Sequence, residues 1–317
     1  MSRLLLRLGS GLRRFPRTLF LRLFLVLVGI EGTLRVLLWG YGAVYIYRHR
    51  GEVDLTAYRI LCVGESSSFG DNAYPVRLES LFRQKYPHLK IQVFNRSIPA
   101  ITTPEIYRHF NIHLRLIRPD VVNIQTGANI CGPSMFFGPR TDDPRAREVA
   151  DILNSSRALQ ALKLIYTAFH AKTAHELNIQ RYHGESFLTQ IHKIPVNYLS
   201  VDEQKYWIEK MIGDAQRHGS RVVLTGYIRH RMTERLQSIA DELRIPFSDN
   251  RDLYENHLRT GELDTILTGD GFHATDYGHA LVAQKLFAII DDRFFRKKFP
   301  DDVPPPVIAP ANVPRAG

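Results

Sequence analysis

Three observations predict a three-layer, flavodoxin-like α/β fold with a parallel sheet for most of this chain. Short apolar runs alternate with amphipathic stretches between residues 58 and 290, the pattern of strands joined by crossover helices. Polar clusters fall at or beyond the ends of the apolar runs, where open parallel sheets bind ligands. With 317 residues, 44% hydrophobic and 23% charged, the chain can bury one large core and has ordinary globular composition.

The N-terminal fifty residues stand apart. They carry nine arginines against one acid, Glu31, and so hold +8 of the formal net charge of +10. The remainder is close to neutral, which argues against a nucleic-acid partner. The arginines flank an apolar stretch, residues 18–47, long enough to span a bilayer as a helix. Glu31 and Arg35 interrupt it four residues apart, on one helical face, where they can neutralise each other. Trp39, Tyr41, Tyr45 and Tyr47 suit the interfacial belt at the far end. Five arginines precede the span and two follow it, so residues 1–17 are expected in the cytoplasm as a basic N-terminus. The body is then expected outside, periplasmic or extracellular. An amphipathic surface helix and a cleaved signal peptide are the other readings, but no small-residue cleavage site is evident, which favours an uncleaved anchor.

A single large domain is expected over residues 55–298. Its strands are read at Arg59–Val63, Ile91–Asn95, Val121–Thr126, Arg221–Thr225 and Ile245–Ser248. Helices are read near Tyr74–Tyr86, Thr103–Ile117, Val201–His218, Met232–Leu243 and Asp276–Ile290. Residues 133–197 interrupt the alternation, with a helix expected over Arg145–Leu177. An insertion of this length beside a crevice is expected to be a lid or substrate wall. Residues 299–317 form a proline-rich tail with the composition of an unstructured segment. The two cysteines, Cys62 and Cys131, are too few for a disulfide framework and are read as thiols, although a bridge is conceivable.

The chemistry-bearing clusters are Gly64-Glu65-Ser66, Asn95 through Ala100, Gly127-Ala128-Asn129, and Asp270-Gly271-Phe272-His273. Taken alone, the first is an ordinary serine-rich turn. Together they supply what acyl transfer requires. Ser66 offers a hydroxyl nucleophile, His273 a base to take its proton, and Asp270 a carboxylate to fix the imidazole tautomer. The Ser66 N–H, an N–H near Ala100 and the Asn129 amide would form an oxyanion hole.

These four segments resemble the four blocks of the SGNH (GDSL-type) hydrolases, in the family's order, over about Tyr58 to Ile290. The resemblance implies the three-layer sheet and a serine hydrolase with Ser66 as nucleophile, His273 as base, Asp270 as its orienter and Asn129 in the oxyanion hole. Three departures accompany it: Glu65 replaces the usual aspartate before the serine, Ala100 replaces the second-block glycine, and Ile130 stands where an acid often follows the asparagine. No cofactor is expected. His109 and His113 lie four apart on a helix, but no Glu follows His109 and a metal site is not expected. Asp276 is a rival triad acid, expected instead to cap the last helix, and Ser67 and Ser68 are rival nucleophiles.

The function expected is an esterase acting on a small-molecule or glycan acyl ester outside the cytoplasmic membrane. An O-acyltransferase or O-acetylesterase working on an extracellular glycan, and an inactive SGNH domain serving as a binding module, are the alternatives.

Overall fold

The computed structural model describes residues 17–99, 101–129, 149, 152–162, 165 and 201–300. The chain divides into two compact units, one formed by Met1–Arg48 with Pro133–Asn197 and the other by His49–Gly132 with Tyr198–Gly317. Ala100, Ile130, Cys131 and the proline-rich tail lie outside the described residues, as does most of the helix expected over Arg145–Leu177.

In the first unit the dominant element is α1, Arg17–His49, a continuous helix of 33 residues. Apolar residues surround it with no single buried stripe, and Leu25, Val28, Leu37 and Trp39 are all exposed. One stretch of it, with its C-terminal extension to Glu52, is long and apolar enough to cross a membrane. Residues 152–155 and 157–162 form short helical turns in the same unit.

The second unit is a five-stranded, all-parallel sheet. Its strands are β1 (Tyr58–Gly64), β2 (Ile91–Asn95), β3 (Val121–Gln125), β4 (Arg221–Thr225) and β5 (Phe247–Ser248), in the order β2-β1-β3-β4-β5. This is the three-layer order that the resemblance implied. The helices joining them are α2 (Tyr74–Lys85), α3 (Thr103–Ile117), α4 (Val201–Arg217) and α5 (Met232–Leu243), followed by α6 (Arg251–Thr260), α7 (Leu263–Ile266) and α8 (Asp276–Ile290).

Alternation along the strands decides the two faces. Ile60, Cys62, Val121 and Val223 join one cluster with Leu78 and Phe82 of α2 and Val282, Leu286 and Ile290 of α8. Leu61, Val122 and Leu224 point the other way and are equally buried. Phe82 packs edge-on to Phe287 at 4.6 Å and lies 5.2 Å from Phe295, so its removal should cost about 3–5 kcal/mol. Cys62 is a free thiol buried in this core, and burial pushes its pKa up to about 12.

Several element ends differ from expectation by a residue or two, β1 running Tyr58–Gly64 and not Arg59–Val63 among them, and two ends and one cap have local reasons. The fifth strand begins at Phe247, not Ile245, because the Ile245 N–H closes α5 by donating to Ala240 O while Arg244 adopts the left-handed region. Thr126 leaves β3 because its hydroxyl donates to Glu65. Thr275, not Asp276, caps α8: its hydroxyl accepts from Gly278 N at 3.1 Å, while Asp276 faces Asn72 and Arg77. Helix α6 was not expected at all. It buries none of its residues fully: only Leu253 and Tyr254 pack, part-buried, against the core, so its apolar stripe is too short to stand out in the sequence.

Candidate active site

The reversal of strand order between β1 and β3 opens a crevice at their carboxyl ends. At the end of β1, Gly64 pairs in register with Gln125. A Cβ there would stand 2.1 Å from Ser68 Oγ and 2.7 Å from the Gln125 carbonyl oxygen, so only glycine lets the chain turn. One 3-10 turn, Ser66–Ser68, follows. Ser68 is buried and its hydroxyl donates to Glu65 O at 3.2 Å, and the Ser67 hydroxyl is also buried. Ser66, half-buried, is the serine of the three that meets an imidazole.

That imidazole belongs to His273. Ser66 Oγ and His273 Nε2 lie 2.9 Å apart, and His273 Nδ1 lies 2.6 Å from Asp270 Oδ2. Residues 207 positions apart are thus brought into one hydrogen-bonded line by the sheet. The Asp270–His273 hairpin is locally determined: Gly271 takes φ +67°, Thr268 N donates to His273 O at 2.8 Å, and Leu267 bridges Ala274. Asp270 Oδ1 accepts from Thr268 Oγ1, Phe272 N and His273 N at 2.7–3.0 Å. The His273 bond and these donors hold the Asp270 carboxyl well below the usual carboxylate range. With Nδ1 donating to an ionised Asp270, Nε2 carries the lone pair that faces the Ser66 hydroxyl.

The segment after β2 is stitched to the same edge. Arg96 N donates to Cys62 O, and Ile98 N to Gly64 O, at 2.9 and 3.1 Å. Asn95 Nδ2 donates to Ser68 O at 2.8 Å, tying this segment to the serine turn. Ala100, expected to contribute an N–H, lies outside the described residues.

Asn129 is placed by a residue that sequence reasoning had treated only as a lengthened aspartate. The Glu65 side chain, 1% exposed, accepts from Gly127 N at 2.5 Å, Asn129 N at 2.9 Å and Thr126 Oγ1 at 3.0 Å. It therefore moulds the loop after β3 around itself, with Gly127 at φ +106°. Burial outweighs these donors and pushes the Glu65 pKa up to about 7. The signal was present in sequence: a carboxylate directly after a fully buried apolar strand needs internal donors. The Asn129 side-chain amide donates one hydrogen bond to Ile101 O at 3.1 Å.

The wall beside His273 was also missed. Phe272 lies edge-on to His273 at 5.1 Å, with Tyr227 and His230 packed against Phe272 at 6.2 and 5.3 Å. Arg229 stacks over Tyr254 and reaches Gly271 O at 3.5 Å, bracing the hairpin. Three of these residues, Tyr227, Arg229 and His230, follow β4, a strand that carries no chemistry-bearing motif in the sequence reading. His113 is a largely buried imidazole whose burial lowers its pKa to about 4, and no cluster able to hold a metal occurs among the described residues.

No protein-family model matches the chain, and no curated protein does. Among solved structures the chain is similar to Axe2, an acetylxylan esterase from Geobacillus stearothermophilus. The identity is 16% and the TM-score 0.48, with 74% of this chain and 94% of that one covered. It is also similar to the lipase/acylhydrolase from Enterococcus faecalis, at 14% identity and a TM-score of 0.45, covering 74% and 96% of the two chains.

Proposed function

We propose that this protein is an SGNH-type serine esterase that cleaves an acyl ester through an acyl-enzyme on Ser66. The observation that carries the proposal is the continuous line Ser66 Oγ, His273 Nε2, His273 Nδ1, Asp270 Oδ2, with separations of 2.9 and 2.6 Å. In the first half-reaction Ser66 Oγ attacks the carbonyl carbon and its proton passes to His273 Nε2. Collapse of the tetrahedral intermediate breaks the ester C–O bond, and the imidazolium returns that proton to the departing alcohol. In the second half-reaction a water attacks the acyl carbon, His273 takes one of its protons, and Ser66 leaves as the reprotonated hydroxyl. Asp270 stays ionised throughout and stabilises the imidazolium.

Charge developing on the carbonyl oxygen needs donors already in place. The Ser66 N–H and the Asn129 amide are assigned that role, with an N–H near Ala100. The Asn129 NH2 carries two donors, so its bond to Ile101 O orients the amide while a second N–H serves the oxyanion. Glu65 is a positioning residue: it holds the backbone of Asn129 and follows the glycine that ends β1.

A fluorophosphonate probe tests the nucleophile. Stoichiometric labelling at Ser66, abolished in Ser66→Ala, is expected. An intact fold that does not label would assign the domain to binding rather than catalysis. Acyl esters of graded chain length then define the substrate, and acceleration of deacylation by an added glycan would identify a transferase.

Helix α1 is assigned as an uncleaved anchor that keeps the esterase unit outside the cytoplasmic membrane, supported by the arginine imbalance around it. A reporter active only outside the cytoplasm, fused after residue 60, should be active. Activity of a cytoplasm-only reporter at that position would reverse the topology.

A further inference from the structure

The charged pair within the apolar helix does not stand alone. Glu31 Oε1 accepts from Arg35 Nε at 2.7 Å and from Arg157 N at 3.1 Å. Glu31 Oε2 accepts from Ser156 Oγ at 3.0 Å and from Ala158 N at 2.8 Å. Arg35 Nη2 in turn donates to Ser155 O at 3.0 Å. Each carboxylate oxygen thus has two donors, and the first N–H groups of the helical turn at 157–162 are satisfied by a side chain from α1 instead of water. Pairing the carboxylate with four donors and with the Arg35 charge lowers the cost of holding such a polar site within hydrocarbon.

The depth of this clamp follows from helix geometry. Trp39, the first residue of the aromatic belt, lies eight positions beyond Glu31, which places the clamp about 12 Å to the apolar side of that belt. The clamped segment exposes Ile152, Leu162 and Ile165, each more than half accessible, in the same unit as the exposed apolar residues of α1. Its polar side chains have outlets: Arg157 donates to Gln160 Oε1 at 3.0 Å and has a stem long enough to carry its charge toward the interface.

We infer that residues 152–162 and Ile165 dip into the bilayer beside α1, held at that depth by the Glu31–Arg35 clamp, and that Ile152, Leu162 and Ile165 contact lipid acyl chains. The occupant is the bilayer because the clamp holds this segment against α1 about 12 Å to the apolar side of the aromatic belt, where α1 itself exposes apolar side chains. The inference rests on α1 crossing the membrane. It makes the insertion a second membrane contact and α1 a permanent structural partner that cleavage would remove.

The test uses the full chain in lipid nanodiscs, with Cys131→Ser and single labels introduced by Ile152→Cys or Leu162→Cys. The native Cys62 stays, since it is fully buried and its thiol pKa is pushed up to about 12. Bimane fluorescence is quenched by doxyl-labelled lipids or by aqueous iodide, with Val28→Cys as the anchor control and exposed Lys297→Cys as the water control. Strong lipid quenching and weak iodide quenching at 152 and 162 are expected, matching position 28. Glu31→Ala should open position 152 to iodide several-fold while position 28 keeps its lipid quenching. Iodide access at 152 and 162 equal to that at 297, with 28 still in lipid, overturns this inference alone. Iodide access at 28 overturns the anchor itself, and this inference with it. Protection of 152 and 162 from both quenchers would mean that a second copy of the chain covers them, which also overturns the proposal, as would unchanged shielding in Glu31→Ala.

Discussion

Two carboxylates flank the candidate catalytic line, and their surroundings differ in a way that separates their tasks. Asp270 sits on a surface hairpin with its side chain 50% exposed, and Glu65 sits beneath the serine turn at 1%. Each accepts several hydrogen bonds, all four of Asp270's from residues 268–273 and those of Glu65 from a loop more than sixty residues away. The donors win at Asp270 and lower its pKa, while burial wins at Glu65 and raises it to about 7. Similar hydrogen bonding therefore gives opposite ionisation preferences, with desolvation deciding the sign. The exposed carboxylate suits a charge that must stay on during catalysis. The buried one suits a framework that holds a loop.

The largest effects should come from breaking the line that Asp270 supports. Ser66→Ala and His273→Ala are each expected to lower kcat by roughly 10⁶, with the double variant scarcely worse because the two act as one unit. Additive losses in ester hydrolysis assays would place them in separate sites. Asp270→Asn should cost roughly 10⁴ in kcat with little change in KM, since the asparagine cannot hold the same tautomer.

On the loop that Glu65 holds, Asn129→Ala should cost roughly 10²–10³ in kcat by removing one oxyanion donor, and should slow fluorophosphonate labelling in parallel. Unchanged labelling would remove Asn129 from the oxyanion hole.

Glu65 itself should show in stability against pH. Its folded pKa of about 7 lies above the unfolded value of 4.5, so the folded state binds the proton more tightly. Its contribution is fully present below pH 4.5 and is lost as pH rises through about 7, on the order of 3 kcal/mol. His113 and His279 act in the opposite sense. Their folded values are lowered to about 4, so their contribution is present above the unfolded value of 6.5 and is lost as pH falls through about 4. The difference between wild type and Glu65→Gln isolates Glu65. Denaturant midpoints at pH 5 and pH 8 should converge on the alkaline side, and a constant difference would show that Glu65 does not titrate in this range.

The smallest effect sharpens the comparison from the hairpin side. Thr275→Ala removes the cap of α8 two residues beyond His273 and should cost about 1 kcal/mol of stability with kcat nearly retained. A large loss of kcat would show that the hairpin depends on the helix cap and is not determined by its own bonds.

Much of the molecule was legible in the chain. Thr103–Ile117, Met232–Leu243 and Asp276–Ile290 run as their apolar spacing indicates, because each buries a stripe that recurs at helical period. The strands were legible because a sheet covered on both faces demands continuous apolar runs. Gly64, Ser66, Asp270 and His273 stood out because a turn at a strand end and a short Asp-x-x-His segment are local features.

Local order in the chain thus specified the alternation, the elements with a buried face and the residue types that acyl chemistry needs. Tertiary structure alone decided that Glu65 would be a loop-holding carboxylate and that Tyr227, His230 and Phe272 would wall the imidazole. It also decided that Glu31 would receive donors from residues 156–158. The physical reason is common to all three. Hydrogen bonds and ring contacts fall off within a few ångströms, so they depend on which distant segments the sheet and the long helix bring together. Hydrophobic periodicity, in contrast, is written in neighbouring residues and can be read before the chain is folded.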